Sequence, residues 1–287
     1  MNLSDIRVEI DRVDQEIRKL FLERMSLAEQ VVSVKAETGD KIYKPDREQD
    51  IILRNSKEVD RKLEQEYQSL IKGIMEVSRM YQYGRMLELR DCFPYSYEKE
   101  KLAYQKLLVL RDQMEYAQNY QAGEILPADS YDEMRERILR GEADAGIAMM
   151  EEIGAGINEE FHHMLTQGQT YINECIVTKG DHPGKCVLFS DHLISLADHN
   201  RCKIMFTCKN QAGSYASLLS IIADYGINFT EMHSSPFKCA DSWDYLFFLE
   251  LEGCLDQREM QSLIFQLSEE TRTFAILGSY HCEGDFV

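Results

Sequence analysis

From Leu3 the apolar residues fall at Leu3, Ile6, Ile10, Val13, Ile17, Leu20 and Phe21, and resume at Leu27, Ala28 and Val31. Steps of three and four residues trace one face of an amphipathic helix. Asn2 or Ser4 can cap its start and Thr38-Gly39-Asp40 breaks the pattern, so the spacing predicts a helix of about 35 residues, roughly 50 Å long. Pro45 followed by Asp46, Arg47 and Glu48 suits the first turn of a second helix. A third is predicted from about Leu63 to Arg90, with Leu70, Ile71, Ile74, Met75 and Val77 inside. Three helices, one of them very long, leave part of the apolar stripe uncovered. Pairing with a second copy of the chain would bury it; an elongated coiled coil is the alternative.

Beyond Cys92 the periodicity weakens. Residues 98–122 read as a polar helix and Pro127 as an interruption, and Tyr131 to Arg140 reads as another helix. Asp144 to Met150 has the apolar run of a buried strand, Gly154-Ala155-Gly156 a tight loop, and Asn158 to Leu165 a helix with an Asn cap. Thr170 to Thr178 and Lys185 to Ser190 read as two more strands. From Arg201 the order becomes strand, helix, strand, strand, helix, strand, an α+β ferredoxin-like unit, with Gly213 ahead of its first helix and Gly226 just past that helix. The chain is therefore expected to be multidomain: an all-α unit at 1–90, an α/β region at 91–199 and the ferredoxin-like unit at 200–287.

Charge sharpens this division. Residues 1–90 hold 17 Lys and Arg against 18 Asp and Glu, whereas the rest hold 15 against 32, which accounts for nearly all of the net −18. So acidic a chain lacks the basic surface that nucleic acid requires. No apolar run reaches the length of a membrane span, and the charged start MNLSDIRVEIDRVDQ is unlike a secretory signal, so a soluble cytoplasmic protein is expected. The eight cysteines show no CxxC pair and are expected to be reduced, small buried hydrophobes. His162-His163 lacks an evident third ligand and reads as a surface pair on a helix. Neither a metal nor a cofactor is expected.

The candidate chemistry lies in the first ninety residues. Arg24 and Lys35 are 11 residues apart, which leaves them about 20° from alignment on one helix face and roughly 16 Å apart along it. Two long cationic side chains so placed can converge on an anionic ligand. Ser78 and Gln82, at i and i+4, share a face of the third helix. Arg7 is about 25 Å from Arg24 on the same rod, so it can reach that ligand only from a partner chain.

With Arg7, Asp14, Arg24, Lys35, Arg47, Glu48, Ser78 and Gln82 in one helical frame, residues 3 to about 85 resemble the all-helical chorismate mutases. The resemblance runs through IRVEIDRVDQEI, FLERMSLAEQVVSVK, PDREQDIIL and MEVSRMYQ. It implies a homodimer or higher homo-oligomer of intertwined helices acting on chorismate. That rearrangement is concerted and needs no nucleophile or metal, only cations and donors that hold a dicarboxylate in its reactive shape and stabilise charge on the ether oxygen. By resemblance, Arg24 and the partner's Arg7 grip the carboxylates, Lys35 and Gln82 donate to the ether oxygen, Glu48 accepts from the ring hydroxyl, Ser78 assists a carboxylate and Arg47 orders the site. Lys44 stands where some relatives carry an acidic residue.

The last ninety residues resemble the ACT module of prephenate dehydratases. The segments that frame an amino-acid effector in that family correspond to Ala212-Gly213-Ser214-Tyr215 and His233-Ser234-Ser235-Pro236, with His and Ser replacing the family's Glu and Arg. GEADAGIAMMEEIGAGINEEFHHML resembles part of the dehydratase itself. Yet the region is about a hundred residues short and lacks the family's Thr-Arg-Phe; Thr271-Arg272 sits elsewhere and is followed by Thr273. A degenerate dehydratase region without that activity is expected, leaving a mutase tuned by an amino acid. A chain that keeps both activities, and a non-catalytic sensor or scaffold for another enzyme of aromatic biosynthesis, are the alternatives.

Overall fold

The computed structural model describes residues 2–179, 183–208, 213–239 and 242–283. Ala212 lies outside them, and of the side chains of 237–239 and 242–243 nothing is said. The chain divides into two compact units, Met1–Phe93 and Pro94–Val287.

The first unit is three helices: α1 (Leu3–Thr38), α2 (Pro45–Ser56) and α3 (Glu64–Arg90). Asn2 caps α1 reciprocally. Its side chain accepts from the Asp5 backbone N–H at 2.9 Å, and the Asp5 carboxylate accepts from the Asn2 N–H at 3.0 Å. The helix stops where Gly39 adopts φ 76°, a left-handed conformation that costs glycine little, and returns its N–H to the Lys35 carbonyl. α1 docks on α3 through Glu29, which accepts from Tyr81 Oη at 2.5 Å and Arg85 Nη2 at 2.8 Å. Only Ala28 and Val32 of α1 are buried. The stripe Leu3, Ile10, Val13, Ile17, Leu20 and Leu27 is exposed, Leu3 by 63%.

The second unit is built on one ten-stranded mixed sheet. In chain order it contains β1 (Lys106–Leu110), a 3₁₀ segment (Arg111–Asn119), β2 (Glu124–Ala128), α4 (Tyr131–Leu139), β3 (Ala145–Glu152), β4 (Gly156–Ile157), α5 (Glu159–Thr166), β5 (Tyr171–Thr178) and β6 (Gly184–Ser190). β7 (Arg201–Cys208), α6 (Ser214–Asp224), β8 (Phe229–Cys239), β9 (Ser242–Glu252), α7 (Arg258–Glu270) and β10 (Phe274–Tyr280) follow. The strand order is β2-β1-β3-β6-β5-β10-β7-β9-β8, with β4 paired to β3.

Three expectations change here. Residues 98–122 are not a helix: Leu107 to Val109 are fully buried in β1 and only a 3₁₀ segment follows. A strand buried on both faces carries a continuous apolar run, so it shows no period of two to distinguish it. Pro127, read as an interruption, sits inside β2, where the sheet edge has no ladder bond for it to break. The boundary at 199/200 does not separate compact units either, because β10 runs beside β5 with Gly278 opposite Ile172. Any side chain at Gly278 would collide with the Ile172 backbone, so glycine permits the approach that fuses the two sheets.

Charge crosses the same seam. Lys185 of β6 bonds Glu250 of β9 at 2.8 Å and Glu231 of β8 at 3.3 Å, while Lys203 of β7, fully buried, bonds Glu231 at 2.7 Å. Tyr280 Oη and Thr230 Oγ1 donate to Glu250 at 2.5 and 2.7 Å. Burial pushes the Glu231 carboxyl up, but Lys203, His233 and Lys185 outweigh it and hold it well below the usual range. Buried charges survive only when so fully paired.

Candidate functional site

In the first unit α1, α2 and α3 enclose a cavity of about 250 Å³. α1 supplies Arg24, Ala28, Val31 and Lys35, whose spacing keeps them on one face. α2 supplies Arg47, Glu48 and Ile51 from its first two turns, and α3 supplies Met75, Ser78, Arg79 and Gln82. Ile42 and Lys44 of the α1–α2 connection complete the wall. Six of the seven predicted site residues, Arg24, Lys35, Arg47, Glu48, Ser78 and Gln82, are thus brought together. Arg7 is not among the lining residues; it sits exposed near the other end of α1.

The side chains are held before any ligand arrives. Arg24 Nη1 donates to the Ile74 carbonyl at 3.3 Å, and Lys35 Nζ to the Ile42 carbonyl at 2.9 Å. Gln82 Nε2 donates to the Ser78 carbonyl at 3.1 Å and to Ser78 Oγ at 3.3 Å, and both residues are buried. Gln82 Oε1 is buried without a partner among the described residues. A half-turn of this amide would let Oε1 accept from the Ser78 hydroxyl and turn the NH₂ away from Ser78, at the cost of the bond to the Ser78 carbonyl.

Sequence reasoning passed over Arg79. It is 7% exposed, donates from Nη1 to Glu48 Oε2 at 2.5 Å, and lies 4.9 Å over the Tyr43 ring. An Arg immediately after Ser78 and three residues before Gln82 was the available signal. The lining then carries five cations, Arg24, Lys35, Lys44, Arg47 and Arg79, against the single carboxylate of Glu48. Their crowding has a measurable consequence. Burial, and then the charges of Lys44 and Arg47, lower the Lys35 ammonium below its ordinary 10.5, and burial lowers the Arg24 guanidinium. Such a cavity stores repulsion that a dianion relieves.

The seven candidate effector positions among the described residues divide between the two faces of the sheet. In the β8–β9 ladder His233 pairs with Phe248 and Ser235 with Leu246, while Ser234 pairs with Phe247 and Pro236 with Tyr245. Directly paired residues share a face and successive ones do not, so the four residues of β8 divide between the two sides of the sheet. Tyr215 of α6 packs on the Tyr245 and Phe247 side, with ring centroids 5.9 and 5.0 Å away. Gly213 caps α6 at φ 85° and Ser214 opens it. Ser235, on the other side, lines a cleft with Leu246, Phe248 and the start of α4 and α5, and Pro236 also contributes to that lining. That cleft also contains His162, which is 2% exposed and not on the surface as expected; only His163 is exposed. Adjacent helical residues face apart, and α5 turns His162 towards the sheet.

Comparison with known proteins separates along the same lines. Residues 6–83 match the family described as chorismate mutase type II. A bifunctional chorismate mutase/prephenate dehydratase of Aquifex aeolicus is 23% identical over an alignment covering 97% of both chains. That alignment is 356 positions long, so a chain of 287 residues lacks stretches the relative has. Among solved structures, one titled as a novel type of quorum quenching acylase, GqqA, superposes with a TM-score of 0.54 at 18% identity, covering 62% of this chain and 95% of that one. A prephenate dehydratase of Arthrobacter aurescens in complex with L-Phe gives 0.50 at 14% identity, covering 61% and 89%. At such identities these superpositions speak for the fold alone.

Proposed function

We propose that this chain, a chorismate mutase type II domain followed by a prephenate dehydratase-like unit, converts chorismate to prephenate. The observation that carries the reading is the cavity that gathers Arg24, Lys35, Arg47, Glu48, Ser78 and Gln82 from three helices. The reaction moves no proton and forms no enzyme bond, so the site must supply only shape and charge. Arg24, Lys35 and Arg47 hold the substrate dianion, Lys35 and Gln82 stabilise the breaking ether oxygen, and Ser78 steadies a carboxylate. Glu48, which takes a hydrogen bond from Arg79 Nη1, also accepts one from the ring hydroxyl. Donors fixed in a partly dry cavity cost no reorganisation when charge develops.

The dimer belongs to the same reading. Its support is the exposed apolar stripe of α1 and the distance of Arg7 from the cavity of its own chain. A second copy laid along that stripe would bury it and bring the partner's Arg7 to the open side of the site. The strand order β10-β7-β9-β8 around the βαββαβ segment supports an ACT module at 200–287, and with it regulation by an aromatic amino acid. The shortened middle region supports the absence of dehydratase activity.

Loss of chorismate absorbance with purified protein, alone and with phenylalanine, tyrosine or tryptophan, tests the reading. Turnover altered by one of the three is the expected result. No turnover in any condition would instead favour a sensor or scaffold, which needs none of these cavity residues.

A further inference from the structure

In the proposed reaction Glu48 has an acceptor's task, and it must perform it in a cavity crowded with cations. Arg24, Lys35, Lys44 and Arg47 line that cavity with it. A carboxylate on a long, flexible side chain is drawn to whichever cation it can reach. If Glu48 swung onto Arg24, Lys35 or Arg47, it would neutralise a group that the substrate dianion needs. Its charge already acts across the cavity. Burial lowers the Arg24 guanidinium and the Glu48 carboxylate opposes that shift; burial, Lys44 and Arg47 lower the Lys35 ammonium, and Glu48 is again among the charges that oppose.

The structure shows what holds Glu48 instead. Arg79 Nη1 donates to its Oε2 at 2.5 Å, and among the described residues no ion pair joins Glu48 to Arg24, Lys35, Lys44 or Arg47. The anchor is itself confined. Arg79 is 7% exposed, rises from α3 between the cavity-lining residues Met75 and Gln82, and has the Tyr43 ring 4.9 Å from its guanidinium carbon. A guanidinium can stack on a ring with its face while it donates in its own plane, and it stays charged at any working pH; an ammonium cannot do the first. Arg79 therefore combines a fixed position, a permanent charge and a directed donor.

We infer that Arg79 is a positioning residue: it grips one oxygen of Glu48, so that the carboxylate stays available to the ring hydroxyl and off the cations that bind the substrate's carboxylates. The inference rests on the mutase reading. It gives Arg79 a part in substrate recognition that it plays through Glu48 and not through the reacting atoms.

A double-mutant cycle on the full chain tests it, with KM and kcat for chorismate read separately. Arg79→Met keeps most of the side chain's length but removes its charge and donors. It should raise KM about 10-fold or more and lower kcat by less, because a released Glu48 weakens the binding of substrate and transition state alike. Glu48→Gln removes the charge that Arg79 restrains. On that background Arg79→Met should change KM by less than about threefold, so the two effects are far from additive. Arg79→Lys, which keeps the charge without the planar fork, should fall between wild type and Arg79→Met, and if Arg79→Met does not melt cooperatively the same comparison made with Arg79→Lys decides. An Arg79 that only supports the fold would act equally in both backgrounds. Additive effects in well-folded variants, or an Arg79→Met KM equal to that of wild type, would overturn the proposal while wild-type turnover upholds the mutase reading; a wild-type chain without turnover would overturn both.

Discussion

Replacing Gln82 by Glu is the sharpest probe of how the mutase cavity works. Gln82 is 8% exposed and bonded to Ser78, so a carboxyl of nearly the same size takes up the same place. Only the protonated carboxyl can donate to the ether oxygen; the carboxylate withdraws the donor and adds repulsion against the developing negative charge. Desolvation drives the new group's pKa up, and the five lining cations drive it down. Loss of one preorganised donor costs on the order of 10²- to 10³-fold in kcat, about 2.7–4 kcal/mol. The expected profile follows. Wild-type turnover, measured as chorismate absorbance loss, is flat between about pH 5 and 8, because neither the amide nor the guanidinium groups titrate there. Gln82→Glu approaches it at the acid end, then falls about tenfold per pH unit above the carboxyl's pKa, and levels off some 10²- to 10³-fold down. A flat Gln82→Glu profile, or a variant as active as wild type at pH 8, would refute a donor role for this position.

Three further outcomes are expected. Lys35 must be charged to act and its pKa is lowered, so the alkaline loss of turnover should begin below 10.5; Lys44→Gln removes one of the charges that lower it and should move that loss to higher pH in a rate profile. The same depression means that the folded site gives up its proton before the unfolded chain does. Lys35 therefore costs stability at neutral pH, and thermal melts should show this cost fading as pH rises towards 10.5. Ile17→Glu, on the exposed stripe of α1, should yield a monomer in analytical ultracentrifugation and lose mutase turnover with it. Incubation with prephenate should give no phenylpyruvate above the acid-catalysed background, and clear enzymatic formation would restore the bifunctional reading.

The helical unit was legible because its information is local. The caps at Asn2 and Gly39, Pro45 at the start of α2 and the three-and-four spacing are all short-range signals, and the faces they define fix which side chains meet. Arg79 escaped because its meaning depends on Glu48, 31 residues away on another helix. In the second unit β1 hid behind a run with no period, and the close approach of β10 to β5 needs a glycine at 278 whose neighbour, Ile172, is over a hundred residues earlier. His162 shows the same limit. Sequence places it beside His163 on a helix, but only packing against Phe248 of β9 turns one inward and leaves the other in solvent.

One measurement tests the central claim, a mutase whose site draws on two chains, most directly. Arg7→Ala and Arg24→Ala chains are assayed for chorismate turnover separately, and again after unfolding together and refolding in equal amounts. Each alone should fall by about 10²-fold or more, while in the mixture half the dimers carry one site with both arginines, returning about a quarter of wild-type turnover. A mixture that stays at the level of its components, or an Arg7→Ala protein with full activity, would contradict the account.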